Sequence, residues 1–444
     1  MKFTALSGGI PMGAAHYLIE DLEGKNIAFD CGTEILRGGN TRMPPITDKK
    51  VDLLCVSHGH LDHVGGLAYF AKHHPETKFL GTKVTRRFAE MQLWDSLGIT
   101  AKKIAEGKKI EHQFIGDDIR ALMNLKRFGI VHRPEWFSPW PDWMIRFRPN
   151  GHINGSACID IQTPNDFRMT FSVDTCFNNQ PTIAGAKVYN DFRPYMLFVE
   201  GTYGDRTLPD RQREEERFIG YVKDVLQRGG FALVPSFGIG GVNIALVLAN
   251  AGIPTYIDGM IRKAADIINL SNPWSNADQP FVFPGSLQPV ANESHRQQIL
   301  KGGKPCAIVT THGMLEFGPV WSYLPRILGD HNSAVLIPGY QAEETGGYQL
   351  LRLERGQALE RKNEKTGEFE KYQIYCDVKK FYLSGHASGR ELADYVREVN
   401  PWEVVIVHAS YGSYHSLKKM IRERLPIVKV HGAFNGRELV DEWI

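Results

Sequence analysis

Short apolar runs rich in valine, isoleucine, leucine and phenylalanine recur along the 444 residues, and each stops at a polar residue near a glycine or another turn signal. Residues 26–29 stop at Asp30, 51–56 at Ser57 and His58, 169–173 at Asp174, 196–199 at Glu200 and 404–407 at His408. Two more runs, 144–147 and 381–383, lead toward His152 and His386. Runs this short and this apolar predict strands buried in a layered α/β fold. Loops beyond the carboxyl ends of such strands converge on ligands while the sheet stays rigid, so seven endings that carry His, Asp or Glu mark a candidate site.

The pattern changes between residues 205 and 379. A charged amphipathic stretch over 211–226 predicts a helix, 231–235 a strand, Gly238, Gly240 and Gly241 a glycine turn, and the residues from Asn243 a second helix. Residues 307–310 and 334–338 read as further strands. The charged stretch 352–371, interrupted by Gly356 and Gly367, predicts an exposed hairpin or loop. This reads as a separate α/β insert, dividing the chain into 1–204, 205–379 and 380–444. A length of 444 residues fits that division, because one ordinary core does not extend so far.

Composition narrows the class. With 42% apolar and 23% charged residues the chain reads as a soluble globular protein. The opening residues hold one lysine, several glycines and no continuous apolar core, so they predict neither a signal peptide nor a membrane span, and a cytoplasmic location is the expectation. Cys31, Cys55, Cys158, Cys176, Cys306 and Cys376 are widely spaced without a C-x-x-C pair, which disfavours a zinc ribbon or a disulfide framework and suits reduced core thiols. A net charge of +2 is too small for coating a polyanion by bulk electrostatics, so a polyanion would have to be held by a local groove.

The densest chemistry lies in Ser57-His58-Gly59-His60-Leu61-Asp62-His63. Histidines two apart at the end of an extended segment can present their imidazoles to one metal, and an Asp and a His just beyond can reach a second. Two metals of this kind need a carboxylate able to bridge and further imidazoles from elsewhere, which Asp174, His152 and His408 supply.

The spacing His58-x-His60-x-Asp62-His63, followed by His152 and Asp174, resembles the metallo-β-lactamase fold in its hydrolase form. That resemblance implies an αββα sandwich. It also implies one zinc held by His58, His60 and His152, a second held by Asp62, His63 and a late His, and Asp174 as the bridge. Asp30 matches the family's early Asp, which supports the histidine loop from behind.

Some 230 residues separate Asp174 from His408, room for a large insert. Glu200-Gly201-Thr202-Tyr203-Gly204-Asp205-Arg206 matches motif A of the β-CASP nucleases, Ser384-Gly385-His386-Ala387-Ser388 motif B, and Val405-Ile406-Val407-His408 motif C. The stretch from Gly339 to Glu343, with Thr345 and Gly347, is similar to one in the cleavage-factor-like members. The resemblance implies a Rossmann-like α/β β-CASP domain inserted into the sandwich, two Zn2+ (Mn2+ as the alternative), single-stranded RNA as substrate and a homodimer. It implies Asp62, Asp174, Glu200 and His386 as the catalytic set, with hydroxide attacking phosphorus. His386 serves as acid or phosphate contact, and Glu200 orients it or holds its proton. Cleavage within RNA, with 5′-to-3′ trimming as an added mode, is the expected activity.

Ser236, Gly238 and Ser384 are candidate substrate contacts; Ser236-Phe237-Gly238-Ile239-Gly240-Gly241 reads as a phosphate-cradling turn rather than a Rossmann fingerprint. Two places where the β-CASP group carries arginine hold Gly241 and Tyr348 here, and a guanidinium is the usual fork for phosphate. A DNA-processing nuclease, a silent RNA-binding relative and a small-molecule hydrolase are the competing classes. His408 at motif C, where the DNA branch has Val, favours RNA, the full ligand set argues against silence, and the long insert argues against a small molecule. The aromatic stretch holding Trp136, Trp140 and Trp143 reads as a rigid loop packed over a core.

Overall fold

The apolar runs that stop at Asp30 and at Ser57 lie side by side and parallel: Ile27 pairs with Leu53 and Phe29 with Cys55. Their carboxyl ends therefore open on the same edge. In the computed structural model, which describes residues 1–36, 40–189, 191–270, 283–362 and 368–440, these strands belong to a seven-stranded sheet. Its order is Glu438–Val440, Lys2–Ser7, His16–Leu22, Lys25–Phe29, Leu53–Cys55, Lys78–Thr82 and Phe128–Val131. A six-stranded sheet follows the order Lys429–Gly432, Glu403–Ala409, Met196–Gly201, Arg168–Ser172, Ala157–Gln162 and Met144–Pro149.

Alternation of side chains across the strands explains the layering. Phe3, Phe29, Phe147, Phe171 and Phe198 point inward and are buried between the two sheets, with the rings of Phe29 and Phe171 stacked 4.2 Å apart. Leu18, Ala28 and Leu54 point the other way and meet Leu67, Phe70, Leu93 and Ile119 from the helices Leu67–His73, Lys83–Ala105 and Gly116–Leu122. Leu197, Val199 and Ile406 likewise meet Leu392, Val396, Leu417 and Ile421 from Gly389–Val399 and Tyr411–Arg424. The result is the expected αββα sandwich. Each fully buried Phe contributes roughly 1.5–3 kcal/mol of transfer free energy.

The described residues divide into two compact units, 1–207 with 385–440, and 208–270 with 283–384. The second has its own parallel sheet in the order Leu287–Pro289, Thr255–Asp258, Ala307–Thr310, Ala232–Pro235, Ala334–Ile337 and Asp377–Lys380. The amphipathic stretch forms the helix Arg211–Gln227, started by Asp210, whose side chain accepts from the Arg213 N–H. Ala358–Lys362 and Phe369–Gln373 form an antiparallel hairpin; Gly367 lies outside the described residues.

Three local expectations shift. Residues 381–383 are not a strand: the ladder ends at Lys380, although the Phe381 and Leu383 N–H groups still donate to Ile337 and Pro338. The helix after the glycine turn begins at Gly241 rather than Asn243, and a Cβ on Gly241 would stand 2.6 Å from Ile261 Cδ1. Glu200 and His408 lie inside their strands rather than beyond them, because those two strands pair with each other and run to Gly201 and Ala409.

Candidate metal centre

The histidine loop leaves the strand Leu53–Cys55 and turns into the short helix Leu61–Val64. Asp30, fully buried, holds that turn from below. Its Oδ1 accepts the Ser57 N–H at 2.7 Å, and its Oδ2 accepts the Ser57 hydroxyl at 2.6 Å and faces His63 Nδ1 at 2.8 Å. The Ser57 hydroxyl in turn lies 3.0 Å from His58 Nδ1. With Nδ1 engaged, each ring directs Nε2 the other way, which is how a carboxylate behind a histidine fixes its tautomer and aim.

The fold then brings the distant candidates to this loop. Arg168–Ser172, Met196–Gly201 and Glu403–Ala409 are parallel neighbours, so Asp174, Glu200 and His408 come out on one edge of the second sheet. His58, His60, His152 and Asp174 form one group of potential donors, with ligand atoms all within 4.8 Å of one another; Asp62, His63 and His408 form a second under the same limit. Asp174 Oδ2 lies 3.4 Å from Nε2 of both His58 and His63 and 3.6 Å from His152 Nε2, and its Oδ1 lies 3.4 Å from His408 Nδ1. Asp62 Oδ2 stands 3.8 Å from His63 Nε2 and 3.6 Å from His408 Nε2. Asp62 is the most open of these side chains, at 43% exposed.

Backbone geometry carries part of the cost. Asp30, Asp174 and His408 all have left-handed φ, at +53°, +44° and +48°. Non-glycine residues occupy that region at roughly 1–3 kcal/mol each, and such strain persists where the surrounding structure enforces it, often at functional sites. Gly385 supplies the remaining close approach. Its carbonyl lies 2.7 Å from His152 Nδ1, and a Cβ there would stand 2.8 Å from the His152 carbonyl oxygen.

Burial sets the protonation pattern. It is the largest influence on His58, His60 and His152 and favours the neutral ring; neighbouring imidazoles add to this, and His60 falls to about 4. Burial also disfavours charge on His63, but the carboxylates of Asp174, Asp62 and Asp30 outweigh it and hold the ring's pKa well above its ordinary value. Asp174 resists burial through His408 and His63 and stays ionised. His58, His60 and His152 are therefore neutral around an ionised Asp174, the forms that ligate a metal, whereas at His63, and at His408, where Asp174 and Asp62 outweigh burial and raise the pKa, a metal has to displace a proton. Among the described residues, Nε2 of His58, His60 and His63 and Oδ1 of Asp174 are buried without a hydrogen-bond partner. Leaving such groups unmet costs on the order of 1–3 kcal/mol each, and a divalent cation satisfies several at once. The donor set fits a metal.

Beside this cluster sits a third grouping, Asp174, Glu200 and His386. Glu200 is fully buried; its Oε1 accepts the Thr175 N–H at 2.6 Å, and its Oε2 lies 2.9 Å from His386 Nδ1. Since its oxygens are already engaged, this is a hydrogen-bonded acid–imidazole pair rather than a third ligand set. Burial opposes the imidazolium at His386, but Glu200 and then Asp174 outweigh it and raise the group to about 9. The His386 ring lies 4.5 Å from that of His152.

The remaining candidates fall elsewhere. Ser236 and Gly238 belong to the second unit and Ser384 is its last residue, where its carbonyl accepts from Arg211. At the second missing arginine, Tyr348 is stacked by Arg352, whose guanidinium carbon is 3.4 Å from the ring centre. Trp143 is buried, Trp140 packs on the inter-sheet core, and Trp136 is covered by Arg146 at 4.4 Å. Sequence reading passed over Ser57, Thr175 and Thr202 as functional groups; the Thr202 hydroxyl lies 3.2 Å from His408 Nδ1. All three sit beside a candidate ligand or acid, which was the available signal.

Three family models match along the chain: the metallo-beta-lactamase superfamily over residues 11–117, the Beta-Casp domain over 246–350, and the Zn-dependent metallo-hydrolase RNA specificity domain over 371–433. The chain thus carries a metallo-beta-lactamase domain and a Beta-Casp domain. The chain is 28% identical to RNase aCSPSF2 of Saccharolobus solfataricus over 449 residues, which cover 98% of the chain and 84% of the relative. It is 27% identical to the transcription termination factor FttA of Methanosarcina mazei over 431 residues, covering 90% of the chain but 65% of that longer protein. A crystal structure of an Enterococcus faecalis V583 protein of unknown function shares the fold, with a TM-score of 0.55 at 12% identity and 99% coverage of both chains. The match to the metallo-beta-lactamase superfamily implies divalent-metal binding, which the buried His and Asp groups fit. No helix among the described residues is long and apolar enough to cross a membrane.

Proposed function

We propose that the protein is a zinc-dependent ribonuclease that hydrolyses phosphodiester bonds of single-stranded RNA, cutting internally. The observation that carries this reading is the place of Asp174, whose carboxylate lies within 3.6 Å of imidazoles from both donor groups. Similarity over nearly the whole chain to a relative named as an RNase supports RNA as the substrate. His58, His60 and His152 would hold one Zn2+ and Asp62, His63 and His408 the other, with Asp174 shared; Mn2+ suits the same donors. Bound there, the two cations supply Lewis acidity to a phosphoryl oxygen and acidify water for attack.

The chain's own residues do the rest. Asp30 and Ser57 fix the rings of His63 and His58, so the donors are ordered before a metal arrives. The Gly385 carbonyl does the same for His152. Glu200 holds His386 as an imidazolium at neutral pH, the form that can give a proton to the departing oxygen or a hydrogen bond to a phosphate oxygen. In this reading residues 1–204 and 380–444 form the catalytic domain, 205–379 the Beta-Casp insert, and the protein works in the cytoplasm. Ser236, Gly238 and Ser384 are assigned as substrate contacts. The test is a parallel assay on single-stranded RNA, single-stranded DNA and a generic phosphodiester, with and without chelator. Chelator-sensitive cleavage of RNA in preference to DNA is expected, and preference for DNA would assign the protein to DNA processing.

A further inference from the structure

The helix Tyr411–Arg424 has two unlike faces. Tyr414, Leu417 and Ile421 are buried and pack into the core beneath the second sheet. His415, Lys418, Lys419 and Arg422 fall at the i, i+3, i+4, i+7 spacing that lines up one face, and with Glu423 they border a shallow hollow of about 470 Å³. Among the described residues no ion pair joins Lys418, Lys419 or Arg422 to a carboxylate, whereas Arg424, on the flank, is held by Asp394 at 2.8 Å. Lys418 Nζ instead meets the Tyr414 hydroxyl at 2.9 Å. Three cations face one carboxylate in a chain whose net charge is only +2, so the positive charge is local.

The position of the face gives it direction. The helix starts at Tyr411, three residues after His408, capped by the Ser410 side chain and tied by the Ser413 hydroxyl to Asp205 at 3.0 Å. At 1.5 Å per residue, the run from His415 to Arg422 extends about 10 Å along the axis, away from the strand end that carries His408. The helix lies wholly within the stretch matched by the RNA specificity domain. Its apolar face is already buried, which leaves no surface for insertion into a bilayer.

We propose that this face, through Lys418, Lys419 and Arg422, binds the phosphate backbone of single-stranded RNA. The inference rests on the ribonuclease reading for the identity of the polyanion and extends it to a surface outside the metal centre. Recognition through phosphates is independent of sequence and fixes the path of the strand.

The experiment is fluorescence anisotropy of a labelled 30-nucleotide single-stranded RNA with the full chain, in chelator so that nothing is cut, from 50 to 300 mM KCl. The triple variant Lys418→Gln, Lys419→Gln, Arg422→Gln should bind on the order of 10- to 100-fold more weakly near 0.1 M salt. Its log–log salt slope should be shallower by about 2, at roughly 0.7 for each phosphate that is no longer neutralised. Glu423→Gln should tighten binding, a change that misfolding would not produce. Equal affinity and slope in the triple variant and the wild type overturn the proposal. Loss of binding to poly-glutamate or to anionic vesicles with RNA binding unchanged also overturns it, and assigns the face to a protein or a membrane. Hydrolysis of bis(p-nitrophenyl) phosphate with metal restored should be the same in both proteins; its absence from the wild type would count against the ribonuclease reading and leave the binding result to stand or fall alone.

Discussion

His386 Nδ1 lies 2.9 Å from Oε2 of Glu200, a carboxylate with no exposed surface, while the His386 ring itself retains 18% exposure. The buried partner therefore fixes the ring and its charge, and in the proposed mechanism that ring is the general acid or a phosphate contact. His386→Ala should lower RNA cleavage by roughly 10²- to 10⁴-fold, the usual worth of general-acid help, without loss of bound metal. Glu200→Gln should fall in the same range. Steady-state cleavage rates beside metal analysis check this, and a His386→Ala protein with wild-type rates would remove the residue from the mechanism.

Asp30 touches no substrate in this account and acts through Ser57 and His63. Asp30→Asn keeps the shape but takes away the charge that orients the His63 ring. Metal affinity should drop about 10- to 100-fold, the usual effect of removing a carboxylate behind a ligating histidine. Competition against a metallochromic chelator measures it; unchanged affinity would make Asp30 a turn residue only.

Metal should stabilise the fold, because four buried ligand atoms have no hydrogen-bond partner. At a free concentration of 100 times Kd the linkage gives about 2.7 kcal/mol, seen as a rise in melting temperature. Asp174→Ala should abolish most of that rise. A melting temperature indifferent to zinc and to chelator would mean the cluster is not a metal site.

Away from the centre, Asp160 is fully buried and accepts from Arg146 at 3.0 Å, Arg148 at 2.5 Å and the Thr170 hydroxyl at 2.8 Å. Arg146 keeps Asp191 as a second partner at 2.6 Å, whereas Arg148 is left with Tyr189, 4.5 Å from its guanidinium. Asp160→Ala should therefore cost about 3–5 kcal/mol, the penalty of stranding a buried charge. Denaturant unfolding reads it directly, and a cost below about 1 kcal/mol would refute the burial argument.

Much of this was written in the sequence, for physical reasons. Strands buried on both faces are continuously apolar, so the runs ending at Asp30, Ser57 and Asp174 announced themselves, and the dense His58-to-His63 chelate needs no tertiary context to be noticed. The αββα layering with its inserted unit followed from the same motifs. What stayed hidden depends on pairing between distant segments. Residues 381–383 are as apolar as a strand, yet the ladder stops at Lys380. Gly241 reads as part of a turn but is the first residue of a helix, where a Cβ would press on Ile261. The strain at His408 and the part of Gly385 in holding His152 arise only once the second sheet is assembled and the motif B loop meets the turn that carries His152.

The most direct test of the two-metal ribonuclease is a zinc titration of the chelated protein, read as cleavage of single-stranded RNA. The account predicts that cleavage is absent in chelator and rises to a plateau at two equivalents of Zn2+ per chain. RNA left intact at every zinc level, or cleavage that persists without metal, would contradict it.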